Sequence, residues 1–162
     1  MRLFVAALPP GEVVAALAGL RVGGDLRKVR SEQLHVTLLF LGEVEAAEPL
    51  VEALAAASLP AAVAVAGPAV VRLGRAVLCV PVAGLDDLAT AVAGATGHRH
   101  DRPYRGHVTL ARARGRDVVP RSATGQPFDR RWPVREVALV RSDLGAEGYR
   151  YATLAAFSTG GA

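Results

Sequence analysis

The sequence predicts a mixed strand-and-helix fold in which one unit is written twice, and three observations predict it. The tetrapeptide His-Val-Thr-Leu stands at residues 35–38 and again at residues 107–110. An apolar, strand-like run precedes each copy, LFVAAL in the first half and VLCVPV in the second, offset by about 74 positions where the tetrapeptides are offset by 72. Between run and tetrapeptide, each half carries a helical pattern and then a loop. This shared order is that of a diverged internal duplication, which puts the two tetrapeptides at equivalent positions about a pseudo-twofold axis.

The elements follow in order. Residues 2–8 form an apolar run closed by Pro9 and Pro10, a strand and a turn. Val13, Val14, Leu17 and Leu20 then recur at helical spacing, so residues 11–20 are a helix, and Gly23 and Gly24 mark a loop. Residues 34–41 read as a strand, and residues 44–59 carry Leu50, Val51 and Leu54 on one side of an alanine-rich helix. Residues 61–74 are strand-like but broken at Gly67 and Pro68, and a hairpin turn at residues 73–75 leads into the strand RAVLCVPV. Leu85, Leu88, Ala91 and Val92 share one face of a helix over residues 84–96. The polar loop GHRHDRPYRG delivers the chain to HVTLAR, and two last strands, VREVALVRS and YRYATLAAFS, are joined through DLGAEG.

At 162 residues the chain has the length of one domain, residues 1–162, and with 51% hydrophobic residues it can bury its own core. No uncharged apolar run approaches the ~18 residues of a membrane span. The start, MRLFVAALPPGEVV, reads as strand and turn rather than as a secretion leader, so a cytoplasmic monomer is the expectation. Nineteen basic residues against fifteen acidic ones, formally +4, favour anionic partners such as phosphates or RNA. Cys79 is the only cysteine, which excludes an internal disulfide and a cysteine-rich zinc cluster; in AVLCVPV it reads as a small core residue.

Side chains alternate along a strand, so His35 and Thr37 share one face while Val36 and Leu38 face a core, and His107 and Thr109 repeat the pattern. Two such strands across a cleft surround a small anion with two imidazoles and two hydroxyls. Imidazole titrates near pH 6.5, so one neutral ring accepts a proton from water while a second, charged ring gives one to a departing oxygen. The hydroxyls donate to phosphoryl oxygens as charge gathers there, each such donor being worth about 2–4 kcal/mol of barrier. A single His-x-Thr is usually structural; two copies in matching halves, using two of only four histidines, point to a shared site. His98 and His100 lack a third ligand at metal-binding spacing apart from Asp101, and read as a solvated or substrate-facing loop rather than a metal site.

With their flanks, LHVTLLFLGEV and YRGHVTLAR, together with MRLFVAALPP and RSDLGAEGYRYATLAAFS, the two copies resemble the 2H phosphoesterase superfamily. The match is to its bacterial and archaeal branch of RNA 2',3'-cyclic 3'-phosphodiesterases, formerly called 2'-5' RNA ligases, and it spans essentially the whole chain. The resemblance implies a bilobal α+β fold, two small antiparallel sheets related by a pseudo-twofold axis around a central cleft holding both motifs. It implies opening of an RNA or nucleoside 2',3'-cyclic phosphate to the 2'-phosphate, with no metal and no cofactor, on RNA ends or cyclic nucleotides. By the same implication His35 and His107 are the acid and base, and Thr37 and Thr109 bind the phosphate; His107 is assigned to water and His35 to O3'. Arg112 stands where the family often has a basic residue touching substrate. Tyr104 and Arg105 are in place to stack on a base or hold a phosphate, and Tyr149, in GYRY, takes a structural role. Two positions depart from the family: Lys28 stands where relatives carry a tryptophan, and Gly106 where proline precedes the second histidine. The alternatives are joining or cleaving of 2',5' linkages in RNA, and an RNA-end binding module without turnover that relies on its basic residues.

Overall fold

The structure, a computed structural model, describes residues 1–160. Strand β1 (Arg2–Ala7) leads through helix α1 (Gly11–Ala18) and the two-residue β2 (Arg27–Lys28) to β3 (Val36–Glu43). Then come α2 (Glu48–Ala56), β4 (Ala62–Ala66), β5 (Val71–Leu73), β6 (Val77–Ala83), α3 (Asp86–Thr96) and β7 (His107–Arg112), and the chain closes with β8 (Arg130–Val134), β9 (Glu136–Gly145) and β10 (Gly148–Ser158). The strands run in the order β10-β9-β1-β3-β7-β6-β4-β8, with β2 added to β7 and β5 to β6, and every pairing is antiparallel.

The α+β class is as the sequence predicts. The two expected sheets meet edge to edge, however, through one residue pair, Val36 opposite Val108 on β3 and β7. Both valines are 0% exposed. The seam between the halves therefore lies inside the repeated tetrapeptide.

The duplication extends to an irregularity in each sheet. In the first half Val5 pairs with Leu39 and the next residue, Ala6, with Thr37, so Leu38 is an extra residue on β3. In the second, Leu78 pairs with Ala111 and Cys79 with Thr109, so Leu110 is the extra residue on β7. Each bulge follows the threonine of its motif, and a bulge turns the side chains beyond it onto the other face. Leu38 with Leu39, and Leu110 with Ala111, all go into the core, and Phe40 and Arg112 come back out on the face of the two threonines.

The main core fills the space between sheet and helices, with Val13 and Leu17 from α1, Leu50 and Leu54 from α2, and Leu88 and Val92 from α3 packed on Leu3, Val5, Val36, Leu38, Val80 and Val108. On the opposite face Phe4, Ala6, Ala138 and Val140 form a small second cluster. Helix α2 begins four residues later than its apolar pattern, because Pro49 fits only the first turn, where its missing N–H costs nothing. Strand β8 is absent from the sequence-based expectation because RRWPV contains Pro133; the fold tolerates it at the sheet's edge, where β8 pairs only with β4. Among the described residues no helix is long and apolar enough to cross a membrane.

Candidate active site

Continuing the register set by Val36 and Val108 places His35 opposite Thr109 and Thr37 opposite His107. Opposed residues in such a pair lie about 4.5–5.5 Å apart and diagonal ones about 7–8 Å, so the four polar side chains form one compact diamond on the face away from the buried valines. All four are partly exposed, while Val36, Leu38, Val108 and Leu110 are buried behind them.

Both imidazoles are held in the same way. The Nδ1–H of His35 donates to the carbonyl of Gln33 at 2.6 Å, and that of His107 to the carbonyl of Arg105 at 2.8 Å. A carbonyl only accepts, so each Nδ1 keeps its proton and each neutral ring leaves its lone pair on Nε2. For His35 that atom lies 3.0 Å from Thr37 Oγ1; the hydroxyl donates to it when the ring is neutral and accepts from it when the ring is charged. The pKa of His35 is lowered, chiefly because burial disfavours the imidazolium and further by the positive charges of His107 and Arg112, against the opposing pull of the Gln33 carbonyl. His107 and Arg112 thus both lie close enough to act on this ring.

The remaining predicted residues separate. Arg112 ends β7 exposed, on the face of the two motifs, and its charge is felt by both His35 and Tyr151. Arg105 is exposed and serves the site through its main chain, as the acceptor for His107. Tyr104 is a strut: its hydroxyl donates to the carbonyl of Thr37 at 2.9 Å, tying the segment before β7 to β3, and burial pushes its ionisation well up. His98 and His100 are tied to α3, to the carbonyls of Thr96 and Ala89 respectively, and the His100 ring lies 5.5 Å from that of Tyr104. The Tyr149 carbonyl accepts from Gln33 Nε2 at 2.6 Å and Arg30 Nη2 at 3.2 Å, which fixes the β9–β10 hairpin against the segment that orients His35. Among the described residues, no three His, Cys, Asp or Glu side chains gather as a metal site. Cys79 is buried, its thiol pushed up to about 11 by desolvation.

An aromatic wall beside His35 carried no signal in the sequence. The Phe4 ring lies 5.0 Å from that of His35, Tyr151 meets His35 edge-on at 5.5 Å, and Phe40 stands 6.4 Å from Phe4 with 72% of its surface exposed. Phe40 and Arg112 hold equivalent positions after the two bulges, so the halves present unlike groups, an apolar ring on one side and a guanidinium on the other.

The 2'-5' RNA ligase superfamily profile matches residues 9–146. The chain belongs to the 2'-5' RNA ligase superfamily. It is 34% identical to the RNA 2',3'-cyclic phosphodiesterase of Thermus thermophilus, over 99% of this chain and 91% of that one. A solved structure from Thermus thermophilus aligns with a TM-score of 0.79 at 32% identity, covering 98% of this chain and 97% of the other. Escherichia coli LigT complexed with 3'-AMP aligns equally well, with a TM-score of 0.79, 25% identity and the same coverage. The 2H phosphoesterase resemblance and the α+β class it implies thus hold for this member of the 2'-5' RNA ligase superfamily.

Proposed function

We propose that the protein hydrolyses the 2',3'-cyclic phosphate of an RNA end or nucleoside to the 2'-phosphate, by proton transfer between two imidazoles and without a metal. The observation that carries this is the matched anchoring of His35 and His107, each by Nδ1 to a carbonyl two residues back, which leaves two Nε2 atoms on one cleft face. The Thermus relative is named for this activity.

In the reaction, His107 Nε2 takes a proton from water as the water oxygen bonds to phosphorus. The P–O3' bond breaks, and the Nε2–H of charged His35 protonates O3'. Burial and the neighbouring Arg112 guanidinium make charged His35 a strong donor, and His107 adds its charge once it has taken the proton of water. The anionic substrate offsets the Arg112 charge and favours charging of the His35 ring before the step. Thr37 and Thr109 donate to the non-bridging oxygens, and proton exchange with solvent restores the rings. Phe40, exposed beside the motif, offers a face for the nucleobase, a contact worth about 1–3 kcal/mol.

The test is product analysis with adenosine 2',3'-cyclic phosphate in excess EDTA. Quantitative conversion to the 2'-phosphate is expected. A 3'-phosphate product, or loss of turnover on chelation restored by a metal, refutes the mechanism. Tight RNA binding with no turnover identifies a binding module, and exclusive action on 2',5'-linked dinucleotides identifies the linkage enzyme.

A further inference from the structure

We propose, resting on the cyclic-phosphate reading above, that Arg27 and Arg112 form a second phosphate site that holds the internucleotide phosphate preceding the reacting terminal nucleotide, so that the protein prefers RNA ends to free cyclic nucleotides. Strand β2 exists only as a two-residue addition to β7, pairing Arg27 with Arg112 and Lys28 with Ala111. The Val29 N–H continues the attachment to the Leu110 carbonyl at 2.8 Å.

The two faces of this short pair are distinguished by their contacts. Ala111 is fully buried, and Lys28 beside it reaches the core side, where its Nζ donates to the Ala18 carbonyl at the end of α1 at 3.2 Å. Alternation therefore sends Arg27 to the other side, with Arg112, onto the face of the two motifs. Like charges directly opposed across an antiparallel pair are destabilising. Among the described residues, no carboxylate lies within ion-pairing distance of either guanidinium; the ion pairs present join Met1 to Glu43, Arg30 to Glu32 and Arg141 to Asp143. Two exposed, unneutralised guanidiniums held face to face are matched by an anion between them.

The position identifies which anion. Arg112 lies three residues beyond Thr109, with the bulge between, roughly 7–10 Å along the strand, so the pair of guanidiniums is centred beyond the phosphate held at the diamond. Arg112 still influences His35, so it spans the two sites, and Arg27 lies on the side of β7 away from β6. A nucleoside cyclic phosphate has no second phosphodiester to place there; a strand of RNA does.

The experiment compares a trinucleotide ending in a 2',3'-cyclic phosphate with the cyclic mononucleotide, and measures binding of the corresponding 2'-phosphate products as a readout independent of turnover. Arg27→Ala is expected to lower the ratio of kcat/KM, trinucleotide over mononucleotide, about tenfold, the scale of one charge-assisted contact. It is expected to weaken trinucleotide product binding to the same extent, with a shallower salt dependence. Lys28→Ala, which removes the same charge from the other face, should leave the ratio in place. An unchanged ratio and unchanged product affinity in Arg27→Ala overturn the second site, as does an equal fall in Lys28→Ala, which reduces the effect to net charge. Failure of the wild-type protein to open either substrate instead overturns the cyclic-phosphate reading, while the binding comparison still decides Arg27.

Discussion

The hydroxyl of Tyr104 ties the segment before β7 to β3 across the seam between the halves, so its removal should be felt in stability. Tyr104→Phe keeps the ring and deletes only the oxygen that donates to Thr37 O at 2.9 Å. Thr37 sits between Val36 and Leu38, both fully buried, so its carbonyl loses a partner in a setting poor in water. Leaving such an acceptor unpaired costs about 1–3 kcal/mol. Taking about 2 kcal/mol, and about 2–4 °C per kcal/mol for a chain of this size, Tm should fall by about 4–8 °C. Urea or thermal unfolding followed by the fluorescence of Trp132, the single tryptophan and buried in β8, reads this directly. Turnover of a cyclic phosphate should fall as well, because the bond fixes the register in which Thr37 faces His107. A Tm within about 1 °C of wild type refutes the strut. If KM alone rises in a Tyr104→Ala variant while its stability holds, Tyr104 acts on substrate instead.

Other expected outcomes follow from the same geometry. The lowered pKa of His35 means that kcat/KM, which reports the free enzyme, should decline as pH rises through a value below the ordinary 6.5. Arg112→Gln removes one of the positive charges that lower it, so that limb should move to higher pH even as the rate falls; a limb that stays in place or moves down separates Arg112 from the ring. Gly106→Ala would set a Cβ 2.4 Å from the Val82 carbonyl oxygen, against the segment whose Gly106 carbonyl accepts from Val82 N–H at 2.8 Å. A loss of about 1–3 kcal/mol in unfolding and a fall in kcat are expected, since His107 is the next residue. Phe40→Ala should raise KM for an adenosine cyclic phosphate about tenfold without lowering Tm, the ring being mostly exposed; an unchanged KM excludes it from base binding.

Much of the fold was legible because the apolar patterns are long and the motif repeats. Val36, Leu38, Val108 and Leu110 fall on the core side as alternation requires, and the helix positions Val13, Leu17, Leu50, Leu54, Leu88 and Val92 are buried as their spacing predicts. Alternation fails beyond each threonine, where the bulge adds a residue that no local pattern announces. By simple counting Phe40 and Arg112 belong to the core side; Arg112 came to notice through family resemblance and Phe40 not at all. Arg27 was silent for a related reason, since a two-residue strand has no period and its partner is distant in sequence. Tyr104 could be placed near the second motif but not at Thr37, because a side-chain bond across 67 positions leaves no trace in the chain. The proline absent before His107 is replaced by close packing of Gly106 on Val82, another long-range contact.

The central claim, that two imidazoles act as one proton-transfer unit on one phosphorus, is tested most directly by single-turnover rates of cyclic phosphate opening for His35→Ala, His107→Ala and the double variant, with folding checked by Trp132 fluorescence. Groups that act together are strongly non-additive, so each single substitution should cost at least about a thousandfold and the double variant little more than either alone. A folded single variant within about tenfold of wild type, or a double loss equal to the product of the two single ones, would contradict it.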